Sequence, residues 1–428
     1  MERLNETPRP RPTWWKWWIC GLLLLASAIN YMDRQTLANA AVRITRQFQL
    51  NQEQYGNLEL GFGWAFAAGS ILLGVMVDRF SVRWIYPVVL VLWSAIGFAT
   101  GLVQSYGGLL VCRTLLGLFE AGHWPCAIKT TQRLLAPEDR AMGNGLLQGG
   151  ASIGAIVTPQ VMNALMTPQL DTWRMPFQVI GAAGLAWVVV WFAMVREADV
   201  APVRVPAIQP GSGPSTLAAS WRVLISRRMI VVLVMIACIN TSWQILRAWL
   251  PKFLMEGRGY AEKAAFNFNS LYYVATDVGC LGAGALTLWL VRRGLPVHRS
   301  RLLVFFGCAA LTASSVSVFV LPRGWPLLAM LLVVGAGALG VFPVYHALTQ
   351  ELSPFHQGKV TGIAGVAAWA LSPVQTLFGR HIDRTGSFDL GLAIAGCLPM
   401  AAFLALWLFW GSPRGHPQVE LAAASTQT

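Results

Sequence analysis

Long apolar runs separated by short polar stretches recur along the whole chain, and they predict a series of membrane-spanning helices. The first run, Trp17–Ile29, contains no charge but is too short to cross a bilayer, which takes roughly 20 residues. Its helix must therefore continue to about Val42 and carry Asp33 and Arg34 into the membrane. A charge there costs about 2.5–3.5 kcal/mol on insertion scales, so we expect these two residues to be functional.

Eleven further spans follow, and the longest hydrophilic stretch, residues 196–228, divides the twelve into six and six. The pattern predicts an all-α polytopic membrane protein whose twelve transmembrane helices form two six-helix bundles. The predicted bundles are residues 14–195 and 229–411, joined by a cytoplasmic linker at 196–228 and flanked by tails at 1–13 and 412–428. After the first helix, the predicted spans are 56–77, 84–104, 107–128, 141–165, 173–195, 229–254, 264–291, 300–320, 326–350, 358–380 and 389–410.

Composition and charge agree with this prediction. Hydrophobic residues make up 55% of the chain and charged residues 12%, and the mean hydropathy is +0.53, whereas a soluble domain has about 25% charged residues. The net charge of +13 is attributed to basic loops that face the cytoplasm and the anionic membrane lipid. We therefore expect membrane lipid, and no nucleic acid, as a partner. The distribution of Lys and Arg predicts an inner (cytoplasmic) membrane protein with both termini in the cytoplasm, although Arg380 and Arg384 fall in an outer loop.

Sequence patterns typical of enzyme, metal or cofactor chemistry do not occur. The seven cysteines all fall in apolar segments and include no C-x-x-C pair, and the six histidines form no H-E-x-x-H motif. A G-x-x-x-x-G-K-[ST] nucleotide loop is also missing. We therefore predict a protein that is not an enzyme and uses neither a metal nor a cofactor.

A second pair of charges lies in the fourth span, where Arg113 and Glu120 are seven residues apart and share one face of a helix. One interpretation is structural, a buried ion pair that holds helices 1 and 4 together. The other is functional, because with Asp33 and Arg34 the set contains two carboxylates and two guanidiniums. An anionic substrate that occupies an arginine deprives a carboxylate of its partner, and that carboxylate then takes a proton.

A loop motif follows the second span, where residues 74–83 read G-V-M-V-D-R-F-S-V-R. It matches the G-x-x-x-D-R loop signature of the major facilitator superfamily. We expect Asp78, Arg79 and Arg83, together with Arg140 further along, to act in gating. The corresponding stretch of the second half, residues 284–294, lacks the acidic residue. This difference argues against a second gating contact of the same kind in that half.

Several stretches resemble the anion:cation symporter family of this superfamily, and most closely its hexuronate permease branch. The resemblance covers nearly the whole chain, with both halves in register. It rests on E-A-G-H-W-P at 120–125, Arg140, Q-G-G-A-S-I-G-A at 148–155, L-P-K-F-L at 250–254, A-T-D-V-G at 275–279, G-K-V-T-G at 358–362 and D-R-T-G-S at 383–387.

The resemblance implies the major facilitator fold and a rocker-switch importer of sugar acids that is driven by protons. By motif position, Asp33 and Glu120 would carry protons and Arg34 would contact the substrate carboxylate. Arg113 would pair with Glu120 and make its protonation depend on whether the substrate site is occupied. Polar and aromatic residues of the second half would grip the sugar hydroxyls.

Arg247 departs from the family, in which an aromatic or aliphatic residue is commoner at this position of helix 7. It either forms a local ion pair with Asp277 of the next span, or snorkels outward, or provides a second anion contact that selects a diacid or a larger acidic glycoside. His123 is either a locally hydrogen-bonded core residue or a proton relay beside Glu120. Further substrate-binding candidates are Gln148, Tyr345, Trp369 and Gln375.

These observations predict a secondary active transporter that takes up an organic anion with protons by alternating access. A hexuronate or a related sugar acid is the expected substrate, and sodium is the alternative coupling ion. An exporter or exchanger of organic anions or drugs is the alternative function, followed by a non-transporting membrane sensor. We expect a monomer.

Overall fold

The computed structural model describes residues 14–136, 139–200, 226–351 and 357–410. The predicted tails and most of the predicted linker lie outside the described residues. The first half contains α1 Trp15–Gln47, α2 Gln52–Arg79, α3 Val82–Thr100, α4 Tyr106–Glu120 with its continuation His123–Leu134, α5 Arg140–Leu165 and α6 Arg174–Met194. The second half contains α7 Arg227–Lys252, α8 Glu262–Arg292, α9 Val297–Ala313, α10 Trp325–Gly340 with Phe342–Glu351, α11 Gln357–Ala370 with Pro373–Thr385, and α12 Asp389–Phe409.

Three spans that the sequence pattern predicted as continuous are interrupted. The helical pattern breaks at residues 121–122 in α4, at 341 in α10 and at 371–372 in α11. A proline lies just after each break, at Pro125, Pro343 and Pro373. Proline has no backbone N–H to donate to the preceding turn and its ring clashes with that turn, so each interruption has a local cause in the sequence.

Eight of the described helices are long and apolar enough to cross a membrane by themselves: α2, α3, α6, α7, α8, α9, α10 and α12. The remaining four are α1, α4, α5 and α11. Of these, α1 and α4 carry buried charges, and α4 and α11 are interrupted. Such helices are tolerated in a bilayer because neighbouring helices shield their polar groups.

The two halves meet along three pairs of helices, α2 with α11, α5 with α8, and α1 with α7. Many cross-half contacts lie at one end of the bundle, where α2 and α8 begin and α1, α7 and α11 end. We call this the closed end. There the backbone N–H groups of Gln52 and Glu53, at the start of α2, donate to the Asp383 carboxylate of α11 at 2.8 Å each. A carboxylate from one half thus caps a helix of the other.

Two ion pairs also join the halves at the closed end. Arg43 at the end of α1 binds Glu262 at the start of α8 through two hydrogen bonds, of 2.8 and 2.5 Å. Arg380 of α11 binds Glu53 of α2 in the same two-bonded manner, at 3.1 and 2.6 Å. The described structure is therefore a state in which this end of the bundle is shut.

Candidate functional site

Arg34 lies on α1, a helix whose side chains are mostly buried between its neighbours. Its Nη2 and Nε atoms donate to one carboxylate oxygen of Glu120 on α4, at 2.8 and 3.1 Å. Nη2 also approaches the side-chain oxygen of Asn30, one turn earlier, at 3.3 Å. Both members of the ion pair are buried, so charge-assisted hydrogen bonds hold α1 to α4 in a site of low dielectric constant.

Aromatic rings surround the two guanidiniums of the first half. Arg34 Cζ lies 5.3 Å from the ring centroids of Tyr31 and Phe62, and 5.1 Å from that of Phe66. Arg113 Cζ lies 4.2 Å from the Phe62 centroid. One phenylalanine of α2 therefore contacts both cations, and cation–π attraction of this kind is strongest where water is excluded.

Glu59 on α2 is a further buried carboxylate, and it links the halves. Arg113 Nη2 donates to its Oε1 at 3.0 Å, and Arg247 Nη2 of α7 donates to its Oε2. The expectation that Arg113 pairs with Glu120 is wrong in this structure. The reason is that Arg34 already occupies Glu120, whereas Glu59 is the carboxylate in hydrogen-bonding reach of Arg113.

Sequence reasoning missed Glu59, although a signal for it was present. Glu59 stands between Leu58 and Leu60, inside the apolar run of the second predicted span. The argument that singled out Asp33 applies there without change, because a carboxylate carried into the membrane has to be paired or functional.

The ion pair between Arg247 and Asp277, one of the three interpretations of Arg247, does not form. Arg247 turns toward α2 and the first half, where Glu59 and the Arg34 backbone oxygen, at 3.3 Å, accept its hydrogen bonds. Asp277 instead accepts a hydrogen bond from Ser152 of α5 at 2.8 Å. The interpretation that Arg247 snorkels outward is also wrong, because only 2% of its surface is exposed.

Asp33 is buried on the face of α1 that approaches α3, with 1% of its surface exposed. A Cβ atom added at Gly97 of α3 would lie 2.9 Å from its Oδ1. Neither carboxylate oxygen has a hydrogen-bond partner among the described residues, and the same holds for Oε1 of Glu120. Three buried acidic oxygens of the site therefore lack a hydrogen-bond donor among the described residues.

His123 is fully buried behind this site and is held on both sides. Its Nε2 lies 3.0 Å from the Ser27 hydroxyl of α1, and its Nδ1 lies 3.0 Å from the Tyr86 hydroxyl of α3. The Trp93 ring also contacts it edge-on, with centroids 5.8 Å apart. These contacts favour the core histidine over the proton relay, because each ring nitrogen already has a local partner.

Two cavities adjoin the charged residues. The first is lined by Tyr31, Gln148, Ala151, Ser152, Ala155, Trp243, Tyr273, Thr276, Asp277 and Leu339. The second is lined by Glu59, Thr241, Gln244, Ala368, Trp369, Leu371, Ser372 and Gln375. Each has walls from both halves of the chain, which is the arrangement expected of a ligand site between two bundles.

Three of the four further substrate-binding candidates line these cavities. Gln148 lines the first, and Trp369 and Gln375 line the second. Trp369 packs on the Phe62 and Phe66 rings, at centroid distances of 5.4 and 5.1 Å, which brings α11 onto the aromatic layer around the arginines. Gln375 Oε1 accepts a 2.6 Å hydrogen bond from the Trp249 indole.

Tyr345, the fourth candidate, is not among the residues that line either cavity. Its ring stacks on His346, with centroids 4.1 Å apart, and meets Phe342 edge-on. In this state its side chain packs on neighbours in α10 and is hydrogen-bonded to Asn240 of α7.

The proposed gating residues whose side chains are described have separate local contacts. Arg140 donates to the backbone oxygens of Gln132 and Leu135, at 2.9 and 3.3 Å, and so closes the turn between α4 and α5. Arg83 lies over the Trp84 ring, 5.6 Å from its centroid. Arg79 is exposed at the end of α2. The side chain of Asp78 lies outside the described residues.

The fold, with buried charges between two six-helix bundles, is that of a membrane transporter. The sequence profile of the Major Facilitator Superfamily matches residues 23–375. The chain belongs to this superfamily. It is a transporter and not an enzyme, as the sequence predicted.

The chain is similar over nearly its full length to several transporters. It is 30% identical over 397 residues to a probable sulfoacetate transporter of Cupriavidus necator, with 89% of this chain and 90% of the relative covered. It is 25% identical to a probable L-galactonate transporter of Escherichia coli K12, covering 93% and 90%. It is 22% identical to the hexuronate transporter of the same organism, covering 95% and 96%. The predicted resemblance to sugar-acid permeases is confirmed.

Solved structures confirm the fold. A bacterial homolog to the human lysosomal transporter Spinster, inward-facing and unoccupied, matches with a TM-score of 0.75 at 17% identity, covering 94% of this chain and 100% of that one. The xylose transporter XylE from E. coli, inward open, matches with a TM-score of 0.71 at 17% identity, covering 96% and 99%. The predicted architecture of twelve helices in two bundles is that of these proteins.

Proposed function

We propose that this chain imports a small organic anion together with protons, and that sugar acids are its leading substrate class. The observation that carries the proposal is the buried charge cluster between the bundles. It consists of three guanidiniums and three carboxylates: Arg34, Arg113, Arg247, Asp33, Glu59 and Glu120. With every group ionised the cluster is neutral, so an added anion leaves an uncompensated buried charge unless a proton accompanies it.

Asp33 is the proposed proton carrier, with Glu120 beside it. A buried carboxylate without hydrogen-bond donors is costly as long as it is ionised, and a proton removes that cost. Each proton taken up by Asp33 or Glu120 leaves one excess positive charge in the cluster, which matches one acidic group of the substrate. Arg34 and Arg113 are the proposed contacts for a substrate carboxylate, because planar guanidiniums bind carboxylates through paired hydrogen bonds.

The closed end has a predicted side of the membrane, and in this proposal the inwardly directed proton gradient makes import the direction of transport. The Lys and Arg pattern predicts that this end faces outward, with both termini in the cytoplasm of an inner-membrane protein. In this proposal the described state is closed to the outside, and the substrate leaves toward the opposite end.

The relatives support the anion class, since their names give sulfoacetate, L-galactonate and hexuronate as what they transport.

Uptake into proteoliposomes tests the proposal. Labelled glucuronate, galactonate and sulfoacetate are offered under an inwardly directed proton gradient, a reversed gradient and a sodium gradient. We expect accumulation of at least one anion with the inward proton gradient alone. Arg34→Gln should weaken binding by about 10–100-fold, the effect of losing a charge-assisted contact.

Arg323→Gln is the matched control, since Arg323 is an exposed arginine that lies over the Tyr260 ring, away from the cavities. It should accumulate anions as the parent chain does. Accumulation driven only by the sodium gradient would show that sodium, and not the proton, is the coupling ion. Transport restricted to uncharged compounds would overturn the proposal altogether.

A further inference from the structure

Glu59 occupies a position suited to an acidic group of a ligand. Its two oxygens bind one arginine from each half, Arg113 on α4 and Arg247 on α7. We propose that Arg247 is a second anion-binding position, which Glu59 fills in the empty transporter and a second acidic group of the substrate takes over. The substrate class is then a dianion, with a carboxylate or sulfonate at each end. This inference rests on the proposed function as an organic-anion transporter.

The geometry allows Glu59 to leave Arg247 without losing every partner. Arg113 holds Oε1, while Arg247 holds Oε2, so a ligand that displaces the second contact leaves the first in place. Glu59 would thus stay paired, and the full cost of an isolated buried charge would not arise. A carboxylate bound on only one oxygen by each arginine is easier to exchange than one gripped by both donors of a single guanidinium.

Arg247 is also held ready for a ligand by groups other than Glu59. Its Nε donates to the side-chain oxygen of Gln244 at 2.8 Å, one turn earlier on α7. Its Nη1 donates to the backbone oxygen of Arg34 at 3.3 Å. These bonds fix the guanidinium when Glu59 moves away, so the position is preorganised.

The second cavity leads to this position. Glu59 and Gln244, the two side chains that bind Arg247, both line it. Arg247 itself is 2% exposed, so a ligand in the cavity reaches it by taking the place of the Glu59 carboxylate. The hydroxyl and amide groups of Thr241, Ser372 and Gln375 line the same cavity, which suits a polar ligand body. Because Glu59 binds both Arg113 and Arg247, the two anion positions lie next to each other.

The test measures binding of a matched ligand pair to the full-length protein by calorimetry. Glucarate carries a carboxylate at both ends, whereas gluconate has the same length with one carboxylate only, and sulfoacetate serves as a short dianion. The quantity compared is the ratio of dianion affinity to monoanion affinity. Arg247→Gln should lower this ratio by about tenfold or more, because it removes a charge-assisted contact that only the second acidic group makes.

Glu59→Gln should move the ratio in the opposite direction. The amide keeps the size of the side chain but removes the competing charge at Arg247, so dianions should gain affinity by about tenfold relative to gluconate. Arg380→Gln is the control, because it breaks a cross-half ion pair with Glu53 at the closed end, outside both cavities. It should leave the ratio as in the parent chain.

The outcomes separate the two levels of inference. If the parent chain binds gluconate as tightly as the dianions and neither Arg247→Gln nor Glu59→Gln changes the ratio, the pair is only a structural latch and the dianion assignment is overturned. If the parent chain binds no organic anion, the proposed function itself fails. Opposite shifts of the ratio in the two variants are the result that supports the second anion position.

Discussion

Asp33 differs from its neighbours in the charge cluster because its carboxylate has no hydrogen-bond partner among the described residues. Replacement by Asn keeps the shape and removes the proton site. We expect Asp33→Asn to reduce substrate accumulation driven by the proton gradient by about 5–150-fold. This is the range that a typical coupling free energy between two binding events, here of proton and substrate, produces. Exchange of labelled for unlabelled substrate, which needs no net proton movement, should persist. Proteoliposome uptake and counterflow assays measure the two processes separately.

His123→Gln provides the comparison, since His123 is a titratable group that bonds to Ser27 and Tyr86 nearby. Glutamine cannot carry a proton at this position but can keep a hydrogen bond. Accumulation that survives in His123→Gln and is lost in Asp33→Asn agrees with the assignment. The reverse pattern would place the proton on the histidine and contradict it.

The sequence could predict which residues form the charge cluster better than how they pair. Asp33, Arg34, Arg113 and Glu120 each stand in an apolar run, and a charge in a membrane has to find a partner. The choice of partner depends on the rotation and tilt of each helix, which spacing within one helix does not determine. For this reason the pairing of Arg113 with Glu59 followed only from the structure.

At the scale of helices, α2 and α11 approach each other at glycines near the closed end. A Cβ atom added at Gly379 of α11 would lie 2.1 Å from the Gln52 backbone oxygen of α2. One added at Gly56 of α2 would lie 2.4 Å from the Gln375 backbone oxygen of α11. Backbone atoms cannot rotate away as a side chain can, so these two glycines set how closely the helices pack.

Gly379→Ala should therefore push α2 and α11 apart at the closed end. We expect a cost to the closed state of about 1–3 kcal/mol, as for overpacking in a protein interior. The measurement is the distance between spin labels on the exposed faces of the two helices, which should shift toward longer values. Gly365→Ala is the control on the same helix, because no atom lies within 4 Å of its added Cβ and the gain in helix propensity is the same. An equal shift in both variants would contradict the packing argument.

The existence of these helices was predictable from hydropathy, but their interruptions were not read from it. Pro125, Pro343 and Pro373 were visible in the sequence, and the missing N–H of proline predicts a break in the preceding turn. Contact positions such as Gly56 opposite Gln375 have no local signal. They arise from the register between two helices that are more than 300 residues apart in the chain.

For the whole molecule, the contacts at the closed end determine how strongly one conformation is preferred. Asp383 caps α2 across the interface, and ion pairs join α1 to α8 and α2 to α11. The two-bundle fold follows from counting apolar runs, whereas pairs such as Arg43 with Glu262 come from distant parts of the chain without a shared motif. The closure of this end could therefore not be predicted from the sequence and followed only from the structure.

Arg43 contacts both halves of the chain at the closed end. Its Nη1 donates to the backbone oxygens of Thr167 and Gln169, at 2.6 and 2.7 Å, within its own half. Its Nε and Nη2 donate across the interface to Glu262. Glu262→Gln weakens the cross-half contact while Arg43 stays anchored in the first half, so the variant isolates the attraction between the bundles.

We expect Glu262→Gln to favour opening of the closed end by about fivefold, since an ion pair that stays partly accessible to water contributes up to about 1 kcal/mol. The shift should be largest at low ionic strength and should shrink as salt screens the pair in the parent chain. Spin-label distances across the closed end, measured at low and high salt, test this. Asp139→Asn breaks the pair between Lys16 and Asp139, which lies within the first half, and should leave the distances unchanged. A similar shift in both variants would mean that loss of charge, rather than contact between the halves, moves the equilibrium.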